Sequence, residues 1–194
     1  MGQLSEVAIY NMALDMLDEA PVTAPSDDTR AARLLARNYA QTRDEVLRAH
    51  PWNFAMARAL LAAAGTAPAF GWARAFPLPV DCLRLLPVVS GGHLNGAPVA
   101  HEVEGGAVLT DAPAPLAVRY VRRVANPSEF DPLFARALAA RLAVYVGHVL
   151  TGKQSYIERI GRIYSDILVE ARRIDALEAT PPVPLGEDWI EARY

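Results

Sequence analysis

Apolar positions along this chain change their period twice, and the two changes mark off a helical stretch, a strand-rich stretch and a second helical stretch. From about Leu4 to Glu19 the apolar residues Val7, Ile9, Tyr10, Met12, Ala13, Leu14, Met16 and Leu17 leave only a narrow polar stripe of Asn11, Asp15, Asp18 and Glu19. This predicts a helix buried on more than one side, stopped by Pro21 and Pro25, whose cover comes from the rest of the bundle or from a neighbouring subunit. A second helix is predicted to start at a cap on Asp27 or Asp28 and to run to Ala49. Its polar face is Arg30, Arg33, Arg37, Gln41, Asp44 and Arg48, opposite Ala32, Leu35, Tyr39, Val46 and Ala49. Pro51 has no amide hydrogen and pushes His50 out of the helical region, so the helix ends there.

Beyond Pro51 the period shortens to two. Trp52, Phe54 and Met56 alternate with Asn53, Ala55 and Ala57, and the run from Phe70 to Pro79 alternates again. Apolar runs at Leu83 to Val89, Ala107 to Thr110 and Leu116 to Val121 are separated by Gly91-Gly92, Asn95-Gly96 and Gly105-Gly106, dipeptides suited to hairpin turns. Helical spacing resumes at Asp131-Pro132, a cap followed by proline at the first helical position, and continues to about Leu150, closed by Thr151-Gly152. A last amphipathic helix is predicted from Ser155 to Ala179, with Tyr156, Ile160, Ile163, Ile167, Ala171 and Ile174 on one stripe. The fold class expected is therefore α+β: a bundle of about four helices built from residues 1–51 and 124–180, an inserted antiparallel β module over 52–123, and an extended C-terminal arm over 181–194.

With 194 residues and 52% hydrophobic composition, the chain can bury a sizeable core. A formal net charge of −3 argues against a protein whose main task is gripping nucleic-acid backbone. The lone Cys82 excludes an intrachain disulfide and fits a reducing compartment, and no charged-then-apolar leader opens the sequence, so a cytoplasmic site of synthesis and use is expected. Residues 133–150 are the most apolar run, but Arg136 and Arg141 lie inside it, each costing roughly 3 kcal/mol at a bilayer centre, so a buried bundle helix is expected and no membrane span. Nearly all basic residues are arginine, Lys153 being the one lysine. A GC-rich genome explains that bias, and the planar bidentate pairing of arginine at interfaces is compatible with it.

Catalytic chemistry finds little support. His50, His93, His101 and His148 fall in four different elements without metal-ligand spacing. Cys82 reads as a small buried hydrophobe, Asp27-Asp28 and Asp44-Glu45 as capping or solvated pairs, and the glycine pairs as turns, since neither a GxGxxG nor a Walker-type lysine is present. No catalytic, cofactor-binding or metal-binding residue is assigned. The arginine face of helix two is either a solvated surface or an intersubunit or portal-facing contact, direct DNA readout fitting least because acids dilute it. The arm after Thr180, Pro181-Pro182-Val183-Pro184 followed by an acidic and aromatic end, is either frayed or docked.

Several segments resemble the head-tail connector proteins of tailed bacteriophages, the group of tail tubular protein A and of gene-transfer-agent adaptors. They are the stretch from Asn11 to Val22, Asp27-Asp28-Thr29-Arg30-Ala31-Ala32-Arg33, the run Thr42-Arg43-Asp44-Glu45-Val46-Leu47-Arg48-Ala49-His50-Pro51-Trp52-Asn53-Phe54-Ala55, Phe76-Pro77-Leu78-Pro79-Val80-Asp81-Cys82-Leu83-Arg84, and Asp188-Trp189-Ile190-Glu191-Ala192-Arg193. Arg43 to Phe54 is the most specific. The resemblance implies a structural adaptor and not an enzyme, a ring of twelve copies between the portal protein and a tail, stopper or nozzle protein, located in the virion neck and assembled in the host cytoplasm, with DNA passing through the lumen without specific binding. Expected interface residues are Met12 and Met16 on helix one, Arg30, Arg33 and Arg37 on helix two, and Trp189, Ile190, Arg193 and Tyr194 as anchors of the arm. Two other classes remain open: a hydrolase whose site assembles from distant residues, and a nucleic-acid-binding module using the arginines of helix two.

Overall fold

A computed structural model describes residues 4–93 and 96–178. The arm over 181–194 and the Asn95 half of one expected turn lie outside the described residues. The described residues form four α-helices and six strands, an α+β architecture whose strands make two antiparallel three-stranded sheets. The chain divides into two compact units. One holds the described residues up to Met56 together with Val121–Leu177; the other is Ala57–Tyr120.

In the helical unit, α1 spans Glu6–Asp15, with Ser5 Oγ accepting from the Ala8 amide at 3.2 Å. It stops short of the expected Glu19 because Asp18 takes a left-handed φ of 57° and the Glu19 amide returns to the Leu14 carbonyl at 3.1 Å. Asn11, on the expected polar stripe, brackets Val22: its amide nitrogen donates to the Val22 carbonyl at 3.0 Å and its oxygen accepts from the Val22 amide at 2.9 Å. Helix α2 spans Arg30–Ala49. Its cap is Thr29, whose hydroxyl accepts from the Ala32 amide at 3.1 Å, and not Asp27 or Asp28. Asp27 is occupied by the Thr23 and Ala24 amides, and the Thr23 bond first among them holds its carboxyl below the usual range.

Immediately after α2 the structure departs from the expected strand. Residues Asn53–Ala55 form a 3-10 turn, and pairing begins only at Met56. Trp52 and Phe54 therefore belong to the helical unit. Trp52 meets Phe134 edge-on at 5.3 Å, Phe54 meets Phe130 and Phe134 at 6.0 and 5.1 Å, and the Trp52 indole donates to the Val46 carbonyl at 2.9 Å. That bond serves a carbonyl in the last turn of α2, where helical partners run out.

Helix α3, Pro132–Thr151, follows its sequence signals at both ends. Asp131 accepts from the Leu133 amide at 2.7 Å, and Gly152 closes the helix at φ 64°. By length and composition α3 could cross a membrane, yet Phe134, Ala137, Leu138, Leu142 and Val146 are buried inside the unit, against α1 and α2. Gly147 admits Leu17: a Cβ there would stand 2.9 Å from a Leu17 methyl. Helix α4, Gln154–Glu178, buries Ile160, Ile167 and Ala171 of its expected stripe.

The second unit is built from β1 Met56–Leu61, β2 Arg74–Pro77, β3 Cys82–Leu85, β4 Glu102–Glu104, β5 Ala107–Thr110 and β6 Leu116–Arg122, the first and last of which also carry the chain out of and back into the helical unit. The sheets have orders β1-β6-β3 and β2-β5-β4. Leu61, Phe76, Val88, Val108, Leu116, Val118 and Tyr120, drawn from both sheets, form one core. Gly105 and Gly106, at φ 55° and 78°, make the tight turn from β4 to β5.

Candidate interaction surfaces

Polar residues of α2 divide into two groups. Toward its C-terminus they are consumed within the helical unit. Asp44 pairs with Arg43 at 2.8 Å and with Arg123 at 2.7 Å, while Glu45 accepts from the Tyr145 hydroxyl at 2.7 Å. Arg141 donates to that hydroxyl at 3.1 Å and lies over the rings of Tyr145 and Tyr164 at 4.8 and 5.5 Å, tying α2, α3 and α4 together. The bond to Glu45 raises the Tyr145 phenol above its ordinary range, and burial does the same to Tyr164.

Toward the N-terminus of α2, Arg30, Arg33 and Arg37 are all exposed. Arg33 pairs with Asp28, a contact open to solvent on both sides. Arg30, in the first turn, faces the positive end of the helix dipole, and that turn itself holds no acid. At an exposed position this costs a few tenths of a kcal/mol, whereas Arg33 is offset by Asp28 and Arg37 lies beyond the first turn, where the dipole has little effect.

Met12 and Met16 are half-buried. Neither belongs to the fully covered set of Ile9, Tyr10, Ala13 and Leu14 that fixes α1. Beside them α4 closes over the turn after α1: the Tyr156 hydroxyl donates to Asp18 at 3.0 Å, and the Lys153 and Arg159 cations lie 5.0 and 4.9 Å from the centre of its ring. The structure thus leaves Met12 and Met16 partly uncovered. Trp189, Ile190, Arg193 and Tyr194 lie outside the described residues.

Sequence reasoning read one feature of the β unit only in part and missed a second. The first is the uncharged loop between β1 and β2: Gly65-Thr66-Ala67-Pro68 signals a loop, but the loop runs on through Phe70, 89% exposed, where alternation pointed to a strand, and pairing starts only at Arg74, with the Ala64 amide bonding the Ala75 carbonyl at 2.7 Å at its base. Its signal was present, since residues 59–73 contain no charged side chain. The second is a cavity of about 230 Å³ lined by Arg58, Ala59, Leu60, Gly91, Gly92, Ala117, Val118 and Arg119. No local signal announces it, because its arginines come from strands far apart in sequence.

Among the described residues no three His, Cys, Asp or Glu side chains converge in a way that would hold a metal ion. Displaced titrations occur instead in the helical packing: burial raises Tyr10, which also donates to Glu6, and pushes Tyr39 up to about 12. No protein-family model matches the chain, and no curated protein matches it in sequence.

Proposed function

We propose that this chain is a head-tail adaptor subunit of a tailed phage or gene-transfer-agent particle, a structural protein and not an enzyme. Twelve copies form a ring in the virion neck, between the portal and a tail, stopper or nozzle protein, after assembly in the host cytoplasm. The observation that carries the reading is the segment from Arg43 to Phe54. It bears the most specific part of the resemblance, and it is also the joint at which a helical unit hands the chain to an inserted β unit through the Trp52 and Phe54 cluster. Exposed Arg30, Arg33 and Arg37 and half-buried Met12 and Met16 add surface suited to neighbours around such a ring. The C-terminal arm then clasps the portal or an adjacent copy through Trp189, Ile190, Arg193 and Tyr194. A proline spacer at about 3 Å per residue gives it the reach, and a buried indole contributes on the order of 2 to 3 kcal/mol per copy, multiplied by avidity around the ring.

The test is attachment to portal-bearing heads. Full-length protein should sediment with them. Truncation after Thr180, or Trp189→Ala, should weaken attachment while leaving the melting temperature of the free subunit nearly unchanged. Failure of the full-length chain to bind any portal would overturn the reading. DNA has to slide through the lumen, so the isolated protein should bind duplex weakly, and only at low salt; tight binding at physiological salt would favour a nucleic-acid-binding module instead.

A further inference from the structure

The β unit carries two outer faces of opposite charge. On β1 and β6, Ala57, Ala59, Leu61, Leu116, Val118 and Tyr120 pack into or against the core. Strand alternation therefore sends Arg58, Leu60, Ala117 and Arg119 to the other side of the sheet. There the turn Ser90–Gly92 lies directly on β6, so close that a Cβ on Gly92 would stand 2.9 Å from the Ala117 methyl, and the cavity of about 230 Å³ opens beside it. Two arginines, Arg58 and Arg119, are among the residues that line this cavity, and no acidic residue is. The Nε of Arg119 is shielded from solvent and has no hydrogen-bond partner among the described residues. Two like charges, an unfilled donor and an apolar rim with Leu60 71% exposed make a site that an acidic, partly apolar protein surface completes.

Such a surface lies on the opposite side of the same unit. In the other sheet Val103 stands across from Val108, and Val108 across from Phe76, both of the latter fully buried in the core. Glu102 and Glu104 consequently project away from the core. Both are exposed, one repeat of the pleat apart, with the half-buried Trp72 indole donating to Glu102 at 3.0 Å. The core is drawn from both sheets, so the arginine face and the glutamate face stand back to back.

We infer that these faces are the two halves of one heterologous contact between copies of this chain, Glu102 and Glu104 of one copy docking at Arg58 and Arg119 of the next. A contact between two different patches repeats around a closed ring or along a filament. The inference rests on the ring reading for its biological setting, but the contact itself requires neither portal nor DNA.

Sedimentation velocity of the full-length protein alone, at high concentration, tests it. Wild type should self-associate at low salt and dissociate as screening increases. Arg58→Glu with Arg119→Glu, and separately Glu102→Lys with Glu104→Lys, should each weaken association at least about tenfold, the scale of one lost charge pair. Mixing the two reversed proteins should restore it, since every junction then pairs unlike charges in alternating order. A wild type that stays monomeric at low salt, reversals that associate normally, a mixture of folded variants that fails to recover, or association that appears only with added duplex DNA would each overturn the inference. If a reversal unfolds its subunit, Arg58→Gln with Arg119→Gln and Glu102→Gln with Glu104→Gln replace it. Unchanged association in both would be equally fatal. Charge-dependent self-association without attachment to portal-bearing heads would remove the adaptor reading and keep this contact; attachment with association indifferent to the reversals would do the opposite.

Discussion

Tyr39 shows how a single side chain can work against the fold it helps to build. Its ring meets Tyr10 edge-on at 5.6 Å, while its hydroxyl is buried with no hydrogen-bond partner among the described residues. A buried unsatisfied hydroxyl costs roughly 1 to 3 kcal/mol, so Tyr39→Phe should leave stability at pH 7 unchanged or raise it by about 1 kcal/mol in urea unfolding. The same burial makes a pH signature. Burial pushes the folded phenol up to about 12 from its ordinary 10.0, so its contribution to stability is fully present below pH 10.0 and is lost as pH rises toward 12. Urea midpoints measured on either side of pH 10.0 should fall less steeply for Tyr39→Phe than for wild type; parallel curves would mean that the hydroxyl is solvated after all. Trp52 is the opposite case, buried and satisfied. Trp52→Ala should cost about 3 to 5 kcal/mol, and Trp52→Phe, which keeps the ring contacts but loses the donor to Val46, about 1 to 3 kcal/mol, read from the same transitions.

For the helices, what the sequence revealed depended on how local the deciding interaction was. Asp131-Pro132 and Gly152 act within one turn of their own helix, and both ends of α3 could be read from the chain. At α2 three residues able to cap, Asp27, Asp28 and Thr29, stand in a row, and the choice among them depends on the loop before them. Asp27 is held by Thr23 and Ala24, which leaves Thr29 to cap. Thr29→Ala should therefore lower stability by about 1 kcal/mol in thermal unfolding, whereas Asp28→Ala should change it by less than about 0.5 kcal/mol; equal losses would return the cap to the aspartates. Trp52 and Phe54 were misread for a related reason. Alternation over three aromatic or apolar positions fits a strand and a 3-10 turn alike, and only contact with Phe130 and Phe134, distant in sequence, selects the turn. The basic cavity depends on the most distant pairing of all, β1 against β6, so neither Arg58 nor Arg119 stood out before the strands were paired.

On the scale of the whole molecule, α1 separates the positions the subunit covers in order to fold from the positions that the proposed ring would cover. Ile9, Tyr10, Ala13 and Leu14 are fully covered within the helical unit, and a charge placed among them would stay buried without a partner, at a cost of several kcal/mol. Met12 and Met16 are only half covered, and thioether side chains at a partly open position adapt readily to a second surface. If the ring supplies the missing cover, Met12→Glu and Met16→Glu should retain the wild-type circular dichroism spectrum and a melting temperature near that of wild type, yet fail to form rings on portal-bearing heads. Leu14→Glu should instead lose the fold outright, which sets the scale for a true core position. Loss of the fold in both methionine variants would assign those positions to the subunit's own core, and normal ring formation by both would leave these positions of α1 with no part in assembly, and the contact to the arginines at the start of α2 and the charged faces of the β unit.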